Sequence, residues 1–221
     1  MIGGLLKELW IHHVLPFVSP IDLVNVSLTS KELNYLVETN FKKEVDYWKE
    51  LTLNYTNNDV MLEAAKKGHE DLVKLFVKQG ANLWNNGLYG AARGGHLKLI
   101  EFFIQKGANS WNFGLYGAAE GGHEELVKLF IKQGAKDWNR GLFGAAEGGH
   151  QKLVEFFIQK GANDWNGGLC GAACVGNFRL VEFFIQKGAN VWNSGLIAAN
   201  CSGNQRVIEF FKNKIAKANQ L

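Results

Sequence analysis

The apolar positions of this chain recur with a fixed period of 27 residues. A Gly-Leu pair opens each copy from the second onward, at Gly87, Gly114, Gly141, Gly168 and Gly195. A tryptophan recurs three residues before each of these glycines, at Trp84, Trp111, Trp138, Trp165 and Trp192. A fixed period of about 20–50 residues is typical of a solenoid, whose units stack because none buries its apolar face alone. The pattern therefore predicts a repeat array that occupies residues 60–221.

Each copy predicts two helices and a connector, as the copy at 141–167 illustrates. A short inner helix is indicated by apolar residues at positions i, i+3 and i+4, which are Leu142, Ala145 and Ala146. Gly148 and Gly149 are predicted to end it, because glycine accepts the left-handed backbone conformation common at helix ends. An outer amphipathic helix is indicated by a broad apolar stripe, which comprises Leu153, Val154, Phe157 and Ile158. Gly161 is predicted to end this helix, and the following A-N-x-W-N-x run to form the connector.

The repeated A-A-x-x-G-H-x-x-L-V-x-F-F-I-x-x-G-A core resembles the ankyrin repeat. The resemblance implies an all-α, ankyrin-type helical-hairpin solenoid of six repeats, with a small helical N-terminal segment. The predicted repeat boundaries are 60–86, 87–113, 114–140, 141–167, 168–194 and 195–221. Typical ankyrin units have about 33 residues and a T-P-L-H signature, which is absent here, so we do not expect full-length projecting β-turns. Shortened, aromatic-rich repeats of this kind look like those of large DNA viruses of protists.

Residues 1–50 carry the signals of a separate helical segment, and residues 51–59 are predicted to be a linker. Ser19 followed by Pro20 and Asp22 is typical of a helix start, and Thr29 with Glu32 three residues later matches the capping-box pattern. The string LLKELWIHHVLPFVSPIDLVNVSLTSKELNYLVE resembles an F-box. That resemblance implies binding to the adaptor subunit of a cullin-type ubiquitin ligase through Leu9, Pro20, Leu23 and Leu28. The alternative is that these helices only cap the first repeat.

Three further sets of residues recur at the same position of successive repeats, and we interpret each of these columns as structural and not as a metal-binding or catalytic site. A histidine column, His69, His96, His123 and His150, continues as Asn177 and Asn204, and asparagine is a poor zinc ligand. We expect these residues to stabilise turns, the tryptophans to pack between repeats, and the asparagine after each tryptophan to bond the connector backbone. Cys170, Cys174 and Cys201 have no convincing fourth metal ligand and are interpreted as small apolar filler. No nucleophile or phosphate-binding motif is present, so we expect no enzyme, no cofactor and no metal site.

The net charge and the search for export signals limit which partners and which cellular location we expect. The chain has a net charge of +3; residues 1–59 carry five basic and eight acidic side chains, which leaves +6 on the repeats. Basic residues alternate with acidic ones, so nucleic acid is the least favoured partner. No secretory signal or apolar membrane-spanning stretch is present, and the expected location is the cytoplasm or nucleus, or the host cell cytoplasm if the protein is viral.

The positions that vary between otherwise similar copies are the best candidates for partner recognition. The seventh position changes between basic, acidic and cysteine residues, and the last position includes an aromatic and an arginine. Aromatic and arginine side chains are enriched in binding hot spots. The predicted partner surface comprises Arg93, Phe113, Glu120, Arg140 and Glu147. The favoured function is a substrate-recognition adaptor for a cullin-type ubiquitin ligase; the alternatives are a plain scaffold or a protein that sequesters a host factor.

Overall fold

A computed structural model describes residues 55–218 of the chain, and this part is built from α-helices arranged as six hairpins. The inner helices are α1 (Asn57–Lys67), α3 (Trp84–Gly94), α5 (Trp111–Glu120), α7 (Trp138–Glu147), α9 (Trp165–Cys174) and α11 (Trp192–Ser202). The outer helices are α2 (Glu70–Lys78), α4 (Leu97–Gln105), α6 (Glu124–Lys132), α8 (Gln151–Gln159), α10 (Phe178–Gln186) and α12 (Gln205–Ala218). Each inner helix packs against the inner helices of the neighbouring repeats and against the outer helix of its own hairpin. The all-α helical solenoid predicted from the period is confirmed.

Glycines in the left-handed conformation follow both helices of each of the first five hairpins and the inner helix of the sixth, as predicted. In the fourth repeat, Gly149 has φ 77° after the inner helix and Gly161 has φ 102° after the outer helix. Residues with a Cβ rarely adopt these angles, so the recurring glycines determine where each helix ends.

The core lies between the two helices of each hairpin and between successive hairpins. One fully buried phenylalanine per outer helix forms its central column: Phe76, Phe103, Phe130, Phe157, Phe184 and Phe211. A Cβ on Gly141 would lie 2.3 Å from Cε1 of Phe157, so the glycine that opens the repeat makes room for this ring. A Cβ on Gly144 would lie 2.6 Å from the carbonyl oxygen of Tyr116 in the preceding inner helix. The G-L-x-G-A-A run is thus the contact surface that lets the inner helices approach closely.

Two predicted boundaries are wrong. The W-N-x residues are the first turn of the inner helix and not part of the connector, because the residue before each tryptophan is the N-cap. Asp137 and Asp164 fill this role with side chains that accept hydrogen bonds from the backbone N–H groups of Arg140 and Gly167. The predicted linker 51–59 is also too long, because a capping box between Thr56 and Asp59 starts α1 at Asn57.

Candidate interaction face

Three variable positions of the repeat come together on one side of the inner helices. They are the third, sixth and tenth residues of each helix, a spacing of i, i+3 and i+7 that lies on one helical face. We call this surface the inner-helix face; from α3 to α11 it comprises Asn86, Tyr89, Arg93, Phe113, Tyr116, Glu120, Arg140, Phe143, Glu147, Gly167, Cys170, Cys174, Ser194, Ile197 and Cys201. Because the inner helices are stacked side by side, these residues form a continuous strip across the array.

Four aromatic rings from three successive repeats occupy the middle of the inner-helix face. The ring of Tyr89 stacks on Phe113 at a centroid distance of 4.6 Å and on Tyr116 at 5.2 Å. Tyr116 in turn lies 6.0 Å from Phe143. All four side chains are half-buried, so each presents part of its ring to solvent. Such rigid, partly exposed rings provide contact area at low entropic cost.

Beside the rings, Glu120 is held in a hydrogen-bonded ion pair. The hydroxyl of Tyr89 donates to Oε2 of Glu120 at 2.6 Å, and Nη2 of Arg93 lies 2.7 Å from Oε1. Glu120 is only 7% exposed. Burial raises the pKa of this carboxyl group above its usual range, the negative charge of Glu147 adds to that effect, and Tyr89 and Arg93 oppose it.

Tyr116 and Glu147 repeat part of this arrangement one unit further along. The hydroxyl of Tyr116 donates to Oε2 of Glu147 at 2.5 Å. Burial and the hydrogen bond to Glu147 raise the pKa of Tyr116, and burial together with Glu120 does the same for Tyr89. Both phenols therefore remain donors at neutral pH, which fixes the orientation of the aromatic rings.

Arg140 lies at the opposite end of the inner-helix face from Glu147. It is exposed, and its guanidinium group lies 5.4 Å from the ring centroid of Phe113, which is a cation–π contact. Phe113 and Arg140 border an open cleft of about 520 Å³. Its lining comprises Asn85, Asn86, Asn109, Ser110, Trp111, Asn112, Phe113, Gly134 and Arg140.

The structure therefore brings the five predicted partner residues onto one surface but gives them different roles. Phe113, Arg140 and Glu147 reach solvent, and Arg93 does so in part. Glu120 supports the surface from beneath, because it is buried and bonded to Tyr89 and Arg93. Tyr89, Tyr116 and Phe143 were not among the predicted residues, although the i, i+3, i+7 spacing from the chosen positions would have found them.

The recurring columns have the structural roles expected of them. Nε2 of His96, His123 and His150 lies in each case 3.1 Å from a carbonyl oxygen at the end of the inner helix of the preceding repeat. The tryptophans are half-buried and packed against the core. Oδ1 of Asn112 accepts from the backbone N–H groups of Lys136 and Asp137 in the next connector, and the same bonds recur at Asn85 and Asn139.

The cysteines fit the filler interpretation only in part. Cys170 and Cys174 are half-buried free thiols whose pKa values are raised by burial, but Cys201 is exposed. Within residues 55–218, no three His, Cys, Asp or Glu side chains are grouped so that they could hold a metal ion.

Comparisons with protein-family models and with curated proteins give no match to this chain. None of the helices between Asn57 and Ala218 is both long and apolar enough to cross a membrane. Leu9, Pro20, Leu23 and Leu28, the residues implied by the F-box resemblance, lie outside the described residues.

Proposed function

We propose that this protein is a recognition module that binds a protein partner on its inner-helix face. The observation that supports this is that three variable positions of the repeat share one surface. The residues that build turns and core largely recur from copy to copy, whereas the third, seventh and last positions differ and lie on one face of the stacked inner helices. A repeat array that varies on one extended face is well suited to binding a protein.

The test compares two double variants that remove the same kind of contact from opposite sides of the array. Phe113→Ala/Arg140→Ala removes an aromatic–cation pair from the inner-helix face, and Phe156→Ala/Lys160→Ala removes a pair at 5.6 Å from an outer helix. Proteins captured from a host-cell extract are compared by quantitative mass spectrometry for the wild type and both variants. Loss of a reproducible partner in the first variant alone supports the proposal. Equal capture by all three folded proteins contradicts it.

The finer proposal is a substrate-recognition adaptor for a cullin-type ubiquitin ligase, with ankyrin-type repeats that hold the substrate. It rests on the resemblance of residues 1–50 to an F-box and on the interaction face described above. In this arrangement Leu9, Pro20, Leu23 and Leu28 contact the ligase adaptor subunit, and the array presents its inner-helix face to a substrate.

A pull-down of the purified ligase adaptor subunit tests this finer proposal. The full chain is compared with a Pro20→Ala/Leu23→Ala variant and with Phe113→Ala/Arg140→Ala as the matched control. Capture by the wild type and the control, but not by the N-terminal variant, supports the ligase role. Equal capture by all three or by none refutes it and favours a scaffold or sequestering protein whose N-terminal segment caps the repeats.

A further inference from the structure

The ion pair between Arg93 and Glu120 shows how the inner-helix face binds a positive charge. The carboxylate of Glu120 is satisfied on both oxygens, by the hydroxyl of Tyr89 at 2.6 Å and by the guanidinium of Arg93 at 2.7 Å. Tyr89 and Arg93 both belong to the preceding repeat, one helical turn apart on α3. The unit is thus a tyrosine and an arginine of one inner helix bound to a glutamate of the next.

One repeat further on, the same unit recurs without its cation. Tyr116 takes the place of Tyr89 and donates to Oε2 of Glu147 at 2.5 Å. The position equivalent to Arg93 is Glu120, an acidic residue that already forms an ion pair with Arg93. On the other side of Glu147, the equivalent position is Cys174, a half-buried thiol. Within the described chain, no lysine, arginine or histidine lies within ion-pair distance of Glu147.

The surroundings of Glu147 favour a cation that also has an apolar or planar body. The half-buried rings of Tyr116 and Phe143 lie next to it, 6.0 Å apart. A guanidinium group binds carboxylates through two parallel hydrogen bonds and stacks on aromatic faces, and a lysine stem packs on the same rings. Arg140 does not fill the site, because it lies seven residues earlier on α7, about 10 Å along the helix axis, and contacts Phe113 instead.

We propose that Glu147 binds an arginine or lysine side chain of the protein partner, with the stem of that side chain against Tyr116 and Phe143. The proposal rests on the proposed function, since it names the chemistry of the partner that the inner-helix face accepts. Partner segments that contain a basic residue are selected, and segments with an acidic residue at this point are repelled by Glu147 and Glu120.

Selection from a display library of random dodecapeptides on the immobilised full chain tests the proposal. Four proteins are compared: the wild type, Glu147→Gln, Glu147→Lys, and Glu155→Gln as a control on the exposed outer side of α8. We expect the wild type and the control to enrich peptides with arginine or lysine. We expect the best of these peptides to bind Glu147→Gln about tenfold more weakly, because a hydrogen bond to a charged carboxylate is roughly twice as strong as one to a neutral amide. Glu147→Lys should enrich acidic peptides instead.

The outcomes separate this inference from the function on which it rests. Peptides without a basic bias, or basic peptides that bind Glu147→Gln as tightly as the wild type, overturn the role of Glu147. If those peptides still lose binding in Phe113→Ala/Arg140→Ala, the inner-helix face remains a recognition surface. If the folded wild type enriches no peptide, both the inference and a peptide-binding face are overturned. Circular dichroism and thermal melts establish that each variant is folded.

Discussion

Replacing Phe157 by alanine should destabilise the array far more than the same change at its neighbour Phe156. Phe157 is fully buried, and its ring fills the space left by Gly141, whereas Phe156 is half-exposed and contacts Lys160 at 5.6 Å. Emptying a buried phenylalanine site costs about 3–5 kcal/mol. Losing a half-buried ring costs about 1 kcal/mol.

Urea denaturation followed by helical circular dichroism measures both changes. With a denaturant slope of about 2 kcal/mol/M, Phe157→Ala should lower the midpoint by about 2 M, and Phe156→Ala by about 0.5 M. Each repeat is stabilised mainly by its neighbours, so losing the packing of the central fourth repeat should also broaden the urea unfolding transition of Phe157→Ala. Equal midpoint shifts for the two variants would refute the assignment of Phe157 to the core column and of Phe156 to the surface.

Three further predictions test the connectors, the turns and the interaction face. Asn112→Ala should cost about 0.5–1.5 kcal/mol, because two exposed connector N–H groups exchange their side-chain acceptor for water. The exposed Asn193→Ala should change the free energy of unfolding by less than about 0.5 kcal/mol. Chemical denaturation of both variants distinguishes the cases. His123→Ala should lower the melting temperature more than His123→Asn, because asparagine occupies the same position in the last two repeats and can still bond the turn; equal losses would count against the turn-stabilising role. Tyr89 and Tyr116 have pKa values raised above the usual 10 in the folded state, so the stability they contribute is present below pH 10 and lost as the pH rises through the raised values. Neither phenol should therefore ionise near pH 10 while the protein is folded, and the Tyr89→Phe/Tyr116→Phe variant should show the same phenolate absorbance change there as the wild type. In urea, where both phenols ionise normally in the wild type, the variant should show a smaller change.

Several parts of the candidate site could be predicted from the chain alone, because they occupy positions that vary within an otherwise repeating sequence. Variation at fixed positions singled out Phe113, Arg140 and Glu147, all of which reach solvent on the inner-helix face. The same reasoning selected Glu120 without indicating that it is buried. Its bonds to Tyr89 and Arg93 join two repeats, so no single repeat indicates that Glu120 is buried.

The sequence by itself determined the period, the alternation of inner and outer helices and the residues that end them. These features depend on local interactions, since apolar spacing defines each helix and glycine permits each turn. The start of the inner helix was missed because the tryptophan that begins it gives no capping signal of its own. Among the five described inner helices that begin with tryptophan, only those preceded by Asp137 and Asp164 have a side-chain N-cap.

Only the tertiary structure decided which charges are paired and which are available. Tyr89 and Glu120 are separated by 31 residues, and so are Tyr116 and Glu147. These pairs meet because the glycine and alanine surfaces of successive inner helices pack closely enough to bring the tyrosine of one repeat beside the glutamate of the next. Arg93 forms an ion pair with Glu120, whereas no lysine, arginine or histidine among residues 55–218 lies within ion-pair distance of Glu147, a difference that depends on the distance between helices and not on the pattern along one of them.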